Sequence, residues 1–155
     1  KGSACVVSWR DLAHASIRIR DSMHRRLNVT TASDDLDAAM AVLDEHMAAL
    51  NVRDSDRLCA TLHFPHYRLA GGKMQVWETP DTYHADFFKR VPDDWSHTLW
   101  DFRNVIAAGA DKIHLDVQFT RYRTSGSAIG SYRSLWIVAK LDGRWAVQAR
   151  STYAG

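Results

Sequence analysis

Among the eight histidines of this 155-residue chain, His66 is the first candidate for proton transfer. A neutral imidazole titrates close to working pH and serves as either acid or base. The plainer role for His66 is a hydrogen-bonded histidine at a strand end. His63 stands three residues earlier, and His46 and His84 are further imidazoles. Zinc would need a third and usually a fourth ligand, and no Cys or Glu pattern joins these residues. No metal site and no cofactor is therefore expected. Asp101, Arg103, Asp116 and Arg150 alternate in sign. They read either as a water-activating or epoxide-opening cluster, with Asp101 the second catalytic candidate, or as a ladder of salt bridges on an outer sheet face. Arg121 could hold an anionic group, since a guanidinium matches carboxylate geometry. No Ser/His/Asp triad, phosphate loop or dinucleotide fingerprint is present.

These side chains need elements to position them. Residues 34–52 read as a helix: Ser33 is a suitable N-cap, and Asp34, Asp35 and Asp37 suit the positive end of the dipole. Leu36, Met40, Leu43, Met47 and Leu50 build one apolar stripe. A second, shorter helix starts at Asp54 or Ser55 and ends near Leu62, stopped by Pro65. Residues 66–70 and 73–77 form a hairpin about Gly71-Gly72. A third helix opens at Thr79-Pro80-Asp81, presents Tyr83, Phe87 and Val91, and ends at Pro92.

From Trp95 onward the period is two, and four long strands are expected near 95–107, 111–123, 129–141 and 144–153. Asp142-Gly143 is a strong hairpin signal, and Ser125-Gly126 marks another turn. Centring the turns there pairs Val138 with Val147, Trp136 with Ala149, Ser134 with Ser151 and Tyr132 with Tyr153. It also pairs Ile113 with Val138, Leu115 with Trp136, Val117 with Ser134 and Phe119 with Tyr132. One face is then apolar, while the other carries His114, Asp116, Gln118, Arg133, Gln148 and Arg150. A one-residue slip would flip every side chain, so the agreement of two turns fixes the parity. Arg121 shares the inward parity of Phe119, at the rim. A two-residue turn at Gly109-Ala110 points Trp100, Phe102, Asn104 and Ile106 inward and Asp101 and Arg103 outward. A bulge would reverse that. Asn104, Tyr132, Ser134, Ser151 and Tyr153 are then polar groups among the aromatic walls Trp100, Trp136 and Trp145, and Tyr83 could reach the same space from the third helix. A mostly apolar hollow with a few convergent polar groups suits a small molecule.

Composition bounds the class. With 46% hydrophobic and 25% charged residues the chain is globular. Its length suits one domain, residues 34–155, which needs no disulfide to fold. Cys5 and Cys59 make no disulfide framework. The apolar runs are too short to span a bilayer, so no membrane partner is expected. Six basic residues within positions 1–30 (Lys1, Arg10, Arg18, Arg20, Arg25 and Arg26) face only Asp11 and Asp21. The basicity therefore belongs to residues 1–33, an N-terminal extension that is either a basic amphipathic helix or a cloning remnant. The rest shows no basic stripe, which argues against nucleic acid. No signal-peptide core is visible, and a cytoplasmic location is expected.

The order of helices, short hairpin and long antiparallel sheet resembles the cone-shaped α+β barrel of the nuclear-transport-factor-2-like superfamily, an uncharacterised SnoaL-like subgroup in particular. The resemblance covers about residues 34–155. It is carried by His63-Phe64-Pro65-His66-Tyr67-Arg68, Trp95-Ser96, Trp100-Asp101, Phe119-Thr120-Arg121-Tyr122-Arg123, Gly143-Arg144-Trp145 and Arg150-Ser151. It implies a curved sheet wrapped around three helices, a pocket between them for a small, mostly apolar molecule, and dimers formed through the outer sheet face. It also implies cofactor-free acid/base chemistry of the isomerase, dehydratase, cyclase or epoxide-hydrolase type, or else a non-catalytic binding or dimerisation module. His66 and Asp101 would be catalytic; Tyr83, Trp100, Asn104, Arg121, Tyr132, Ser134, Trp136 and Ser151 would line the substrate. The chain departs from ketosteroid isomerases, whose base is an Asp before a Pro: here Phe64 precedes Pro65, and the late acidic donor falls near Ser134 or Leu135. The Arg-x-Asp pair of limonene epoxide hydrolases occurs reversed, as Asp101-x-Arg103.

Overall fold

The computed structural model describes residues 33–87, 89 and 91–153. The N-terminal extension, read as either a basic amphipathic helix or a cloning remnant, lies outside them apart from Ser33. Helix α1 occupies residues 33–51, and its buried stripe runs through Ala39, Leu43, Met47 and Leu50. Arg53, at φ 57°, ends it in the left-handed conformation. The Arg53 N–H donates to Leu50 O and the Asp54 N–H to Ala49 O, which satisfies carbonyls the helix leaves open. Asp54 then caps α2 (Ser55–Ala60), its carboxylate accepting from the Arg57 N–H.

Strand β1 (Leu62–Ala70) begins four residues before the expected start and includes Pro65, whose peptide bond to Phe64 is cis. The proline sits where the pairing of β1 is irregular, between Leu62 and Tyr67, so its missing N–H breaks no regular ladder. Gly71 and Gly72 both take positive φ and turn the chain into β2 (Lys73–Trp77). Helix α3 (Pro80–Phe87) starts on proline and buries Tyr83 and Phe87. Four long strands follow: β3 (Trp95–Ala108), β4 (Lys112–Arg123), β5 (Ala128–Leu141) and β6 (Arg144–Thr152).

The six strands form one sheet in the order β2-β1-β6-β5-β4-β3, antiparallel except for the parallel β1–β6 pair. This is an α+β architecture, as the sequence suggests. Ile113, Leu115, Val117, Trp136, Val138 and Val147 pack with Leu43, Met47, Leu58, Tyr83 and Phe87 of the helices in one core.

The expected β4–β5 register holds at all four positions, from Ile113–Val138 to Phe119–Tyr132. The β5–β6 register holds only at the turn. Val138 pairs with Val147, but Ile137 pairs with Ala149, which leaves Gln148 as an extra residue in a bulge. Beyond it the parity of β6 inverts. Arg150, expected outside, faces inward opposite Trp136; Ser151, expected inside, faces outward opposite Leu135. The Gln148 amide donates to Pro65 O at 2.7 Å, so the bulge is tied to the irregular stretch of β1.

Strand β3 carries register shifts too, between Trp100 and Phe102 and between Val105 and Ala107. Trp100 keeps its inward position opposite Phe119. Phe102 and Asn104 turn out opposite Gln118 and Asp116, and Arg103 turns in opposite Val117. Each shift bends the strand, as a curled sheet requires.

Candidate functional site

Between the helices and the inner sheet face lies a cavity of about 80 Å³ whose wall includes three arginines, Arg68 of β1, Arg121 of β4 and Arg150 of β6. A smaller hollow of about 30 Å³ adjoins it. That hollow shares Phe87, Phe119, Arg121, Trp136 and Arg150 and adds His46, Thr98 and Trp100. Neither wall includes a carboxylate among the described residues. Two larger hollows lie elsewhere: a cleft of about 350 Å³ by Arg53 and Trp95, and a groove of about 410 Å³ on the outer sheet face.

Arg150 is the centre of this arrangement. Its Nε–H donates to His66 Nε2 at 3.1 Å, and its Nη2 donates to the Tyr83 hydroxyl at 3.1 Å. The guanidinium also lies 5.3 Å from the centroid of the Trp136 ring. These partners are neutral acceptors and a π-face. They aim the guanidinium without cancelling its charge. Arg121 stands over Phe119 and Tyr132, at 5.9 and 5.3 Å from their centroids, and those two rings stack at 5.5 Å. The indole N–H groups of Trp100 and Trp136 are buried and find no acceptor among the described residues.

His66 is completely buried. A backbone carbonyl only accepts, so Nδ1, 3.2 Å from Val147 O, carries the ring proton. Nε2 is then the lone-pair nitrogen and accepts from Arg150. The imidazole stacks on Trp77 and meets Tyr83 edge-on. In this state it positions Arg150. His63 repeats the pattern: Nε2 donates to Ala139 O at 3.1 Å, and Nδ1 accepts from Arg144 Nη2 at 3.0 Å. Burial, and secondarily the Arg144 charge, lower its pKa below the ordinary imidazole value.

The other expected site residues divide by face. Tyr83, Trp100, Arg121 and Trp136 gather at the cavity. Tyr132 joins them only as the ring beneath Arg121. Ser134 is buried, and its hydroxyl donates to Ser151 O at 2.9 Å in the sheet. Ser151 lines the outer groove, and Asn104 pairs with Asp116 on the same outer face. The Asp101 carboxylate accepts from Gln118 Nε2 at 3.0 Å and from Thr120 Oγ1 at 2.8 Å, both outward residues of β4. Asp116 receives two hydrogen bonds from Arg133, which hold its carboxyl below the usual carboxylate range. Of the expected ladder one outer ion pair forms among the described residues, Asp116 with Arg133, while Asp101 is held by the neutral donors Gln118 and Thr120. Arg103 has left the ladder for Asp44 of α1, at 2.5 Å.

Two cavity residues, Arg150 and His46, read from the sequence as a member of the outer charge cluster and as one of several imidazoles, not as parts of the hollow. The bulge turns Arg150 inward. His46 lies beside Leu43, Met47 and Leu50 at helical spacing, and that spacing is the signal that could have placed it on the buried stripe. Among the described residues no three His, Cys, Asp or Glu side chains gather as metal ligands would. The buried Cys59 thiol is pushed up to about 11 by burial and stands apart from the cavity.

No protein-family model matches this sequence, and no curated protein matches it. Solved structures do resemble the fold. A Nostoc punctiforme protein of unknown function, described as having a cystatin-like fold, matches with a TM-score of 0.65 at 15% identity, over 80% of this chain and 92% of that one. An NTF2-like protein of Shewanella oneidensis matches with a TM-score of 0.65 at 15% identity, over 77% and 99%. A ketosteroid isomerase-like protein of Erwinia carotovora matches with a TM-score of 0.60 at 17% identity, over 77% and 95%.

Proposed function

We propose that this chain, which has the NTF2-like, cystatin-like fold, binds a small organic anion inside its cone. The anionic group sits on Arg150 and Arg121, and an apolar body rests against Phe119, Trp100 and Trp136. One observation carries this reading: the half-buried Arg150 has no carboxylate partner among the described residues. A guanidinium withdrawn from water loses solvation that neutral acceptors replace only in part. It offers five N–H donors, of which His66 and Tyr83 engage two. The two unpartnered indole N–H groups add to the shortage of acceptors. A carboxylate supplies both the countercharge and the missing acceptors.

Titration of the chain with benzoate and with its neutral isostere benzamide, followed by tryptophan fluorescence, tests the proposal. Benzoate binds and benzamide does not. Arg150→Gln weakens benzoate by about tenfold to a hundredfold, the range for a hydrogen bond to a charged group. Equal binding of the two compounds would exclude anion recognition.

Catalysis by His66 on the same occupant is a second reading, favoured by the 3.1 Å contact between the imidazole and Arg150. It requires that bond to open, because Nε2 is the nitrogen that would take the proton. Association with a second copy is a separate reading of the outer face. There Leu69, Met74, Ile106, Leu135 and Ile137 line the apolar groove.

A further inference from the structure

Among the described residues three imidazoles are buried, and one differs from the other two. His63 and His66 each donate one ring N–H to a backbone carbonyl and accept an arginine on the other nitrogen. His46, only 2% exposed, has its Nδ1 2.7 Å from the Thr61 hydroxyl oxygen. That hydroxyl gives its own proton to Leu58 O at 2.6 Å, so its oxygen accepts and His46 Nδ1 is the donor. The relay fixes the tautomer: Nε2 keeps a lone pair. No hydrogen bond to Nε2 is made among the described residues.

His46 also lines the small hollow that adjoins the arginine cavity. Its ring meets Trp136 edge-on at 5.1 Å, and the Arg150 guanidinium lies 5.3 Å from the same ring. Burial first, and the Arg150 charge second, hold its pKa well below 6.5, so the imidazole is neutral at neutral pH. The wall is thus rich in donors, namely two guanidinium groups and two indole N–H groups. The His46 lone pair is an acceptor still to be satisfied.

We propose that His46 Nε2 accepts a hydrogen bond from a hydroxyl on the bound anion, so that the occupant is a hydroxylated carboxylate rather than a simple one. This rests on the anion reading above and narrows it. The charged group anchors on Arg150 and Arg121, and the hydroxyl enters the hollow of about 30 Å³ beyond them. A space that size takes a hydroxyl, since one water needs roughly 10–15 Å³. A plain carboxylate filling the space offers no donor to the lone pair that faces this hollow, and an acceptor that loses its donors costs free energy.

Isothermal titration of the full chain with benzoate, 3-hydroxybenzoate and 4-hydroxybenzoate tests the proposal, with His46→Phe as the variant. One hydroxybenzoate binds the unmodified chain about five- to tenfold more tightly than benzoate, as one added hydrogen bond allows. In His46→Phe that ratio falls to about one. Should the variant not fold, the ¹⁵N resonance of His46 Nε2 in the unmodified chain gives the answer, moving upfield with the hydroxybenzoate and not with benzoate. Equal affinities for all three compounds, a preference that survives in His46→Phe, or a still Nε2 resonance overturns the assignment and leaves anion binding standing. Failure of all three to bind removes the anion reading as well.

Discussion

Arginine plays two roles against histidine in this fold. Arg144 spends its guanidinium on Ala60 O, Leu62 O and His63 Nδ1, where α2 passes into β1. Arg150 spends only part of its donors and turns the rest toward the cavity. Arg144→Ala should therefore lower stability by about 1 kcal/mol, read by urea denaturation, with benzoate affinity unchanged. Buried imidazoles also set a pH dependence. The pKa values of His46 and His63 are lower in the folded chain than the unfolded value near 6.5. Between the two values the unfolded chain binds more protons, so stability is full above about pH 6.5 and falls as pH drops below it. The slope is at most about 1.4 kcal/mol per pH unit for each histidine, and His63, whose hydrogen bond to Ala139 O opposes the lowering, contributes the smaller share. Thermal unfolding between pH 7.5 and 5.5 checks this. His46→Phe flattens the curve, and a slope unchanged by that substitution would remove His46 as its source. His46 was within reach of sequence reasoning, since it falls between Leu43 and Met47 on the buried stripe. Counting it as polar hid it.

At the scale of the element, the bulge at Gln148 decides what the cavity is. Were Gln148 paired regularly, Arg150 would point outward and Ser151 inward. Deleting Gln148 should close the bulge and leave Ala149 opposite Ile137 and Arg150 facing inward opposite Trp136, so benzoate binding survives, with the sheet retained by circular dichroism. Loss of binding in that deletion, with the sheet intact, would mean that an inward Arg150 does not suffice to hold the anion. The β4–β5 parity was legible because a turn signal and a long alternation agree from Lys112 to Arg121, and the one register shift, between Arg121 and Tyr122, lies beyond those pairs, beside the turn. Inversion in β6 was not legible. Gln148 is no glycine, its φ is not positive, and an outward Arg150 fits polarity as well as an inward one. What selects the bulge is long-range: the Gln148 amide meets Pro65 O more than eighty residues away in sequence. The same blindness covers β3. Asp101 and Ile106 fall at register shifts with no turn signal near them, so Asn104 and Arg103 exchange faces. Substituting the outer pair, as Asp116→Asn or Arg133→Gln, leaves cavity binding as it was.

On the scale of the whole molecule, the helices cover one face of the sheet and leave an apolar groove on the other, where Met74 is 62% and Ile106 58% exposed. An exposed apolar patch of this kind is commonly a contact surface. Sedimentation velocity should show a dimer, and Leu135→Lys should shift it to monomer. A single monomeric species at high concentration would contradict that reading of the face. We also expect residues 34–155 to fold without the preceding segment, with one cooperative unfolding transition. The architecture itself was legible, since helix stripes, a double-glycine hairpin and two late turns suffice to specify a helix-backed sheet. The charge of the interior was not. It depends on one arginine whose direction is set by a single extra residue.

The most direct test of that charge is crystallographic. Crystals of the chain soaked in 4-bromobenzoate give anomalous scattering that locates the bromine without reference to the protein density. Bromine is expected within the cone, with the carboxylate in contact with Arg150 and the ring against Phe119 and Trp136. Bromine confined to the outer groove, with an empty cone, would contradict it.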